Sequence, residues 1–324
     1  MAIKAADIGI TDDRLKESAH KFRKTLLAIP VIAVENTTRY MTPRPGVTGK
    51  ETLGELEQGD AQFGPYDPHR KTSGEKINPR TLETFFGSVI HEFDPNSVAG
   101  SVYASSFKSG EALKLAEVNK KVVANRLKVI GKNLGKAIWN AKRNDNGTKT
   151  AELFNGLDTI AQKEIDGGGL SVEKKNLFLF KEKITRVNAV DLIKSFCRAA
   201  TAELKEEDEL YLYCDPDIKE LYEEAYKAET GGSIYNKEYE QGRVEGFGGK
   251  ILFATPATKA GSGFIQLTSK NNMLYGFDSV SDTETLSLDR FSPFLITLSA
   301  AMWFGTDYES IAPEKLLVGK LYTE

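Results

Sequence analysis

The sequence predicts an α+β chain in which one very long helix separates an extended, turn-rich N-terminal third from a mixed second half. Three observations carry that prediction. Residues 111–143 hold an apolar stripe at helical spacing. Residues 34–80 hold five prolines and six glycines, a density of turn formers that breaks any long helix. Residues 187–305 alternate between helical and strand patterns.

Taken in order, residues 1–33 contain one amphipathic helix. Leu15, Ala19, Phe22 and Leu26 recur at helical spacing, Thr11 or Asp12 is placed to cap it, and Pro30 stops it. Such a helix needs a partner surface, in its own core or on a neighbouring subunit. Residues 34–80 retain Leu53, Leu56, Phe63 and Tyr66 among the turn formers, so they are not composed like a solvating tail. An extended hairpin that gains its burial from another chain reconciles the two facts. Residues 81–94, TLETFFGSVIHEFD, read as one long strand ending at the Asp94-Pro95-Asn96-Ser97 turn.

The long helix follows. Ala116, Val123, Leu127, Ile130, Leu134, Ile138 and Ala141 form its stripe, and Ser109 and Glu111 suit its positive end. Residues 111–143 would span about 50 Å. Gly131 and Gly135 within it point to a bend or to close approach by another element. The helix is strongly basic. Lys120, Lys121, Lys128, Lys132 and Lys136 are the residues by which it would face a polyanion or an acidic neighbour, and residues 203–229 supply an acidic stretch within the chain. A merely solvated face accounts equally well for the lysines.

Beyond the turn at 144–147, residues 151–165 read as a short helix broken at Gly156, and Gly167-Gly168-Gly169 as a mobile connection. Residues 187–204 read as one helix with Val190, Ile193, Phe196 or Cys197, and Ala200 inward. Residues 209–215 form a strand. Asp215 followed by Pro216 is a specific helix start, and Gly231-Gly232 ends that helix. The last quarter turns to strands at 250–256, 264–269, 272–278, 285–291 and 294–305. Lys270–Asn272 suits a hairpin turn, and the last strand is apolar enough to be central.

Composition bounds the function. With 324 residues the chain can bury a sizeable core, in two sub-domains. A net charge of -3 gives no reason to expect a free-standing nucleic-acid binder or a membrane-surface protein. No run of 18 apolar residues exists, and the N-terminus lacks an apolar secretory core. Cys197 and Cys214 read as reduced and buried, and the three histidines show no ligand spacing. GRVEGFGGK (242–250) fails as a phosphate loop, since Val244 and Ile251 stand where glycine and Ser or Thr are needed. HExxH and GxSxG are absent. The reading is therefore a non-enzyme, with no catalytic, cofactor or metal residues assigned.

The order of parts resembles the major capsid proteins of tailed bacteriophages, with their Hong Kong 97-type fold, over the whole chain. The strings that carry the resemblance are TPRPGVTGKETL, ELFNGLDTI, LYLYCDPDIKELYEEAY, and ILFATP followed by NNMLYGFD. The resemblance implies an N-terminal arm (1–33), an E-loop over an adjacent subunit (34–80), a peripheral domain (81–150 and 250–324) with its spine helix at 111–143, and an axial domain (151–249). It implies hexamers and pentamers closing an icosahedral head around double-stranded DNA. Portal, scaffolding and decoration proteins would be partners, with no membrane, and the location would be the virion after assembly in the host cytoplasm. Inter-subunit positions implied are Pro43, Pro45, Leu53, Leu56, Phe63 and Tyr66 in the hairpin, with Gly167, Gly168, Gly231 and Gly232 in adaptable loops. Members that crosslink use a lysine and an asparagine. Lys50 and Asn272 match by type alone, and neither is assigned that role. Some members carry a fused scaffolding segment of about a hundred residues, whereas about 33 residues precede the hairpin here, so scaffolding would be separate or removed. An encapsulin-like compartment shell and a soluble oligomeric α/β enzyme are the alternatives.

Overall fold

A computed structural model describes residues 34–57, 76–93, 115–229, 242–278, 286–292 and 295–322. The expected helix within 1–33 lies outside these residues. Three sheets and one dominant helix organise the rest.

The first sheet is built on β11 (Leu295–Tyr308), which is central as its apolar sequence predicts. It pairs antiparallel with β10 (Leu286–Ser292), β4 (Phe85–Phe93) and β9 (Met273–Asp278). A short strand β1 (Thr42–Pro45) adds in parallel to β9. The second sheet runs β5 (Leu177–Leu179), β12 (Leu316–Lys320), β8 (Phe264–Thr268), β6 (Leu210–Tyr213) and β7 (Ile251–Ala254). The third is an isolated ribbon of β2 (Lys50–Glu57) against β3 (Lys76–Glu83), in register from Lys50 opposite Glu83 to Glu57 opposite Lys76.

The helix α1 (Leu115–Asn140) lays its stripe on one face of the first sheet. Leu134, Ile138 and Trp139 share a core with Tyr275, Phe304 and Tyr308. Each fully buried large side chain stabilises by about 1.5–3 kcal/mol. The helix stops at Asn140, short of the expected 143, because residues 142–144 turn back along 151–155. Lys142 N–H donates to the Ala151 carbonyl and Asn144 N–H to that of Glu152. Gly156 caps the next helix, α2 (Leu157–Asp166), and is required there: a Cβ would stand 2.4 Å from the Trp139 carbonyl oxygen. Gly135 likewise admits Thr258, whose methyl would meet a Cβ at 3.1 Å, so close approach is the reason for this glycine.

The helices α3 (Ala189–Arg198), α4 (Ala202–Glu206) and α5 (Pro216–Glu229) accompany the second sheet, with α3 and α5 packing on each other. Val190, Ile193, Phe196, Cys197 and Ala200 are all buried, as their spacing predicts. The expected single helix over 187–204 is two, because Thr201 begins a new one by accepting from Leu204 N–H. Asp215 caps α5 through the Asp217 N–H at 2.9 Å.

Two further expectations are corrected. The strand over 81–94 breaks at Thr84, and its halves join different sheets. Lys270–Asn272 is not a hairpin turn, because β8 belongs to the second sheet and β9 to the first. The second sheet draws on both sides of residue 250: β7, β8 and β12 complete the sheet of β5 and β6. The 151–249 unit alone would lack three of that sheet's five strands.

Candidate interaction surfaces

The hairpin is held at its root by a corner at Thr84. Its N–H donates to the Gly49 carbonyl at 2.7 Å, and its hydroxyl donates to the Val47 carbonyl and accepts from Gly49 N–H, both at 2.9 Å. The corner sits on a glycine pair. Gly276 and Gly305 are Cα partners across β9 and β11, and a Cβ on Gly305 would stand 2.1 Å from the Glu83 carbonyl oxygen. Beside it, Val47, Leu53, Leu82 and Leu274 form a small core. Arg80 ties β3 to the body, donating to Glu164 at 2.9 Å and to Asp307 at 2.8 Å. Burial works against its charge, but the two carboxylates outweigh burial and hold its pKa above the ordinary arginine value.

This geometry sorts the sequence-predicted residues. Pro43 and Pro45 are exposed along β1. Leu53 is not left for a neighbour: it is 5% exposed in the chain alone. Leu56 is the Cα partner of Ile77 in the ribbon, and Phe63, Tyr66, Gly231 and Gly232 lie outside the described residues. Gly167 and Gly168 are exposed, but their backbone is tied down as the end of α2 rather than left as a free connection. Gly167 N–H donates to the Lys163 carbonyl, Lys174 Nζ donates to the Gly168 carbonyl, and Gly168 takes φ +72°. Lys50 is exposed and pairs with Glu83. Asn272 is buried, donating to Thr268 Oγ1 and accepting from Ser310 N–H, so it is unavailable to a neighbour's lysine.

A buried polar junction escapes sequence reasoning altogether. Lys259, fully buried, donates to Asp158 at 3.0 Å and lies 4.1 Å from the Trp139 ring centre. Asp158 also accepts from Ser262 Oγ at 2.7 Å and Gln266 Nε2 at 2.9 Å. Burial lowers the Lys259 pKa against the pull of Asp158. These partners are 101 or more positions apart in the chain, and no local signal joins them. The junction welds α1, α2 and the second sheet, and both carboxylate oxygens of Asp158 accept from within the chain, Oδ1 from Lys259 and Gln266 and Oδ2 from Ser262. Cys197 and Cys214 are free and buried, as expected, and burial pushes each thiol up to about 12.

Among the described residues, two exposed surfaces flank the first sheet. Phe86, its ring tilted against that of Trp303 at 5.4 Å between centres, and Ile90 are 55% and 71% exposed on the outer face of β4. On the far side of the sheet, Lys128, Lys132 and Lys136 are exposed along α1. Lys120 and Lys121 also belong to this helix. Between α1, β4 and the 144–152 loop runs a cleft of about 520 Å³ lined by Arg126, Val129, Arg143 and His91. Partial burial and then Arg126 lower the His91 pKa. Among the described residues no group of three or more His, Cys, Asp or Glu is placed to hold a metal, and no helix is long and apolar enough to cross a membrane.

No protein-family model matches the sequence, and no curated protein matches it. Solved structures do. The chain is similar to one in the satellite phage P4 procapsid that includes the size determination protein, with TM-score 0.59 and 10% identity over 95% of this chain and 98% of that one. It is similar to one in the cyanophage A-1(L) capsid asymmetric unit, with TM-score 0.57 and 10% identity over 91% and 92%. A third likeness is to the capsid of a native GTA particle, with TM-score 0.51 and 12% identity over 90% and 91%. At such identities the likeness is one of fold: the chain has the α+β fold found in these phage capsids, as its order of parts predicts.

Proposed function

We propose that this chain is the major capsid protein of a tailed phage, forming hexamers and pentamers that close an icosahedral head around double-stranded DNA. Likeness to capsid chains over nearly the full length supports the class. The observation that carries the assembly reading is the ribbon β2–β3. Among the described residues it pairs with no other strand, and its root is anchored by the small core of Val47, Leu53, Leu82 and Leu274. A two-stranded ribbon is marginal in water, so its length is best completed by an adjacent copy. Repetition then makes weak contacts collectively strong. Pro43, Pro45, Leu56, Phe63 and Tyr66 are the proposed neighbour contacts on this side, and Gly167, Gly168, Gly231 and Gly232 are proposed to meet neighbouring copies around the five-fold and six-fold centres. Portal, scaffolding and decoration proteins are the partners such a head would need, and the virion is its place after assembly in the host cytoplasm.

The structure narrows the deletion that tests this. Glu57 and Lys76 are Cα partners, so residues 58–75 can be replaced by an Asn-Gly turn without touching the root at Val47 and Thr84. The shortened chain is expected to be soluble and to form no shells. Shells of normal size in negative-stain micrographs would refute the role of the hairpin. Particles holding phage DNA support the head; particles holding a packed enzyme would indicate a cellular compartment instead.

A further inference from the structure

The first sheet has two faces of opposite chemistry. On one, the inward side chains of β9 and β11, Tyr275 and Phe304 among them, pack under α1. Neighbouring positions point the other way, and there Leu274 meets Val47, Leu53 and Leu82 of the hairpin root. Phe86 and Ile90 continue that second face in the open. The helix and the hairpin root therefore lie on opposite sides of one layer.

Over residues 125–140 the solvent face of α1 is made almost wholly of donors. Lys128, Lys132 and Lys136 follow one another at four-residue steps, about 6 Å apart along the axis. The other exposed positions over 125–140 are Asn125, Arg126, Val129, Asn133 and Asn140, with no carboxylate among them. None of the three lysines forms an ion pair within the described residues. A groove of about 470 Å³ continues the face through Asn140, Thr148 and Lys149, again with no carboxylate in its walls.

We propose that this lysine face meets duplex nucleic acid, so that the α1 side of the sheet is the inside of the shell wall and the hairpin side faces out or toward neighbours. Phosphates need only cations and donors, which is what this stripe offers. A protein partner would want an apolar centre and few lysines, and Val129 is the only apolar residue among the exposed positions described over 125–140. The assignment of inside and outside rests on the shell reading; the affinity for duplex does not.

The test uses the full chain, wild type and the triple variant Lys128→Gln/Lys132→Gln/Lys136→Gln, with a fluorescent 30-base-pair random duplex as probe. Unassembled wild-type chains are expected to bind it, with a log–log salt slope that becomes shallower by about 2.7 in the variant, 0.9 for each lost phosphate contact. The variant is expected to melt as wild type does and still to form shells. Intact wild-type shells are expected not to take up added duplex through these lysines. The proposal is overturned by undetectable wild-type binding at 50 mM salt or by an unchanged slope. It is equally overturned by a folded variant that no longer assembles, which would make the stripe a contact for an acidic neighbour. Closed shells that bind added duplex in a lysine-dependent way would put the stripe outside. Should wild type make no shells at all, the shell reading falls by itself, and the salt slope still decides the lysine face.

Discussion

Replacing Gly305 by alanine tests whether the Thr84 corner is seated as the structure places it. The new Cβ would stand 2.1 Å from the Glu83 carbonyl oxygen and 3.0 Å from Thr84 Cα. Both are backbone atoms, so no side-chain rotation relieves the overlap. Two responses are open. The corner stays, and overpacking strain of about 1–3 kcal/mol remains. Or it lifts, and the three hydrogen bonds of Thr84 with Val47 and Gly49 lengthen, at about 1 kcal/mol each. The two routes reach similar ceilings, so a loss of about 3 kcal/mol is expected. Amide exchange at Gly49 and Thr84 reads it directly: protection should fall on the order of 100-fold. Gly46→Ala is the control. It meets nothing within 4 Å and carries only the strain of φ +80°, about 1 kcal/mol. If Gly305→Ala keeps both amides within a few-fold of wild type, the corner does not rest on the glycine pair.

Two further outcomes are expected. Lys259→Met should destabilise by about 3–5 kcal/mol in urea unfolding, because Asp158 keeps its buried charge with only Ser262 and Gln266 as donors; adding Asp158→Leu should recover part of the loss, and a neutral single variant would refute the pairing. Glu152 accepts backbone N–H groups from Lys149 and Thr148, and those bonds lower its pKa below the ordinary 4.5. A depressed carboxylate stabilises above its unfolded value and loses that contribution as pH falls through the folded one. Protection of the Thr148 and Lys149 amides should therefore hold from neutral pH to about 4.5 and fade below it, and Glu152→Gln should remove the pH dependence.

Much of this was legible locally. The stripe through Leu127, Leu134 and Ile138, the cap at Asp215, and the centrality of β11 follow from short-range patterns that the fold obeys. The corner at Thr84 was not, because alternation passes through it undisturbed: Leu82, Thr84 and Phe86 keep one parity while the chain changes sheets. Lys270–Asn272 carries turn residues, but a turn does not say that its flanking strands pair. Here Asn272 is committed instead to Ser310 and Thr268. Strand β12 is five residues long and takes its place from β5 and β8, not from its own pattern. Of the candidate contacts, Leu53 is buried within its own chain by Leu82 and Leu274, which depends on register across the root and is not stated by the sequence.

The same root explains why the ribbon can be both fixed and unfinished. Arg80 reaches two carboxylates on separate elements, Thr84 makes three bonds, and four apolar side chains close beneath them. That set determines where the ribbon leaves the sheet. Beyond it, β2 and β3 have only each other among the described residues, and a pair of strands does not bury enough to be stable alone. A segment whose direction is set by its own chain, and whose burial is not, can be satisfied by a second copy without first paying the full entropy of finding its orientation. Under the shell reading, this division of labour lets identical chains meet neighbours at fixed angles while each contact stays weak alone.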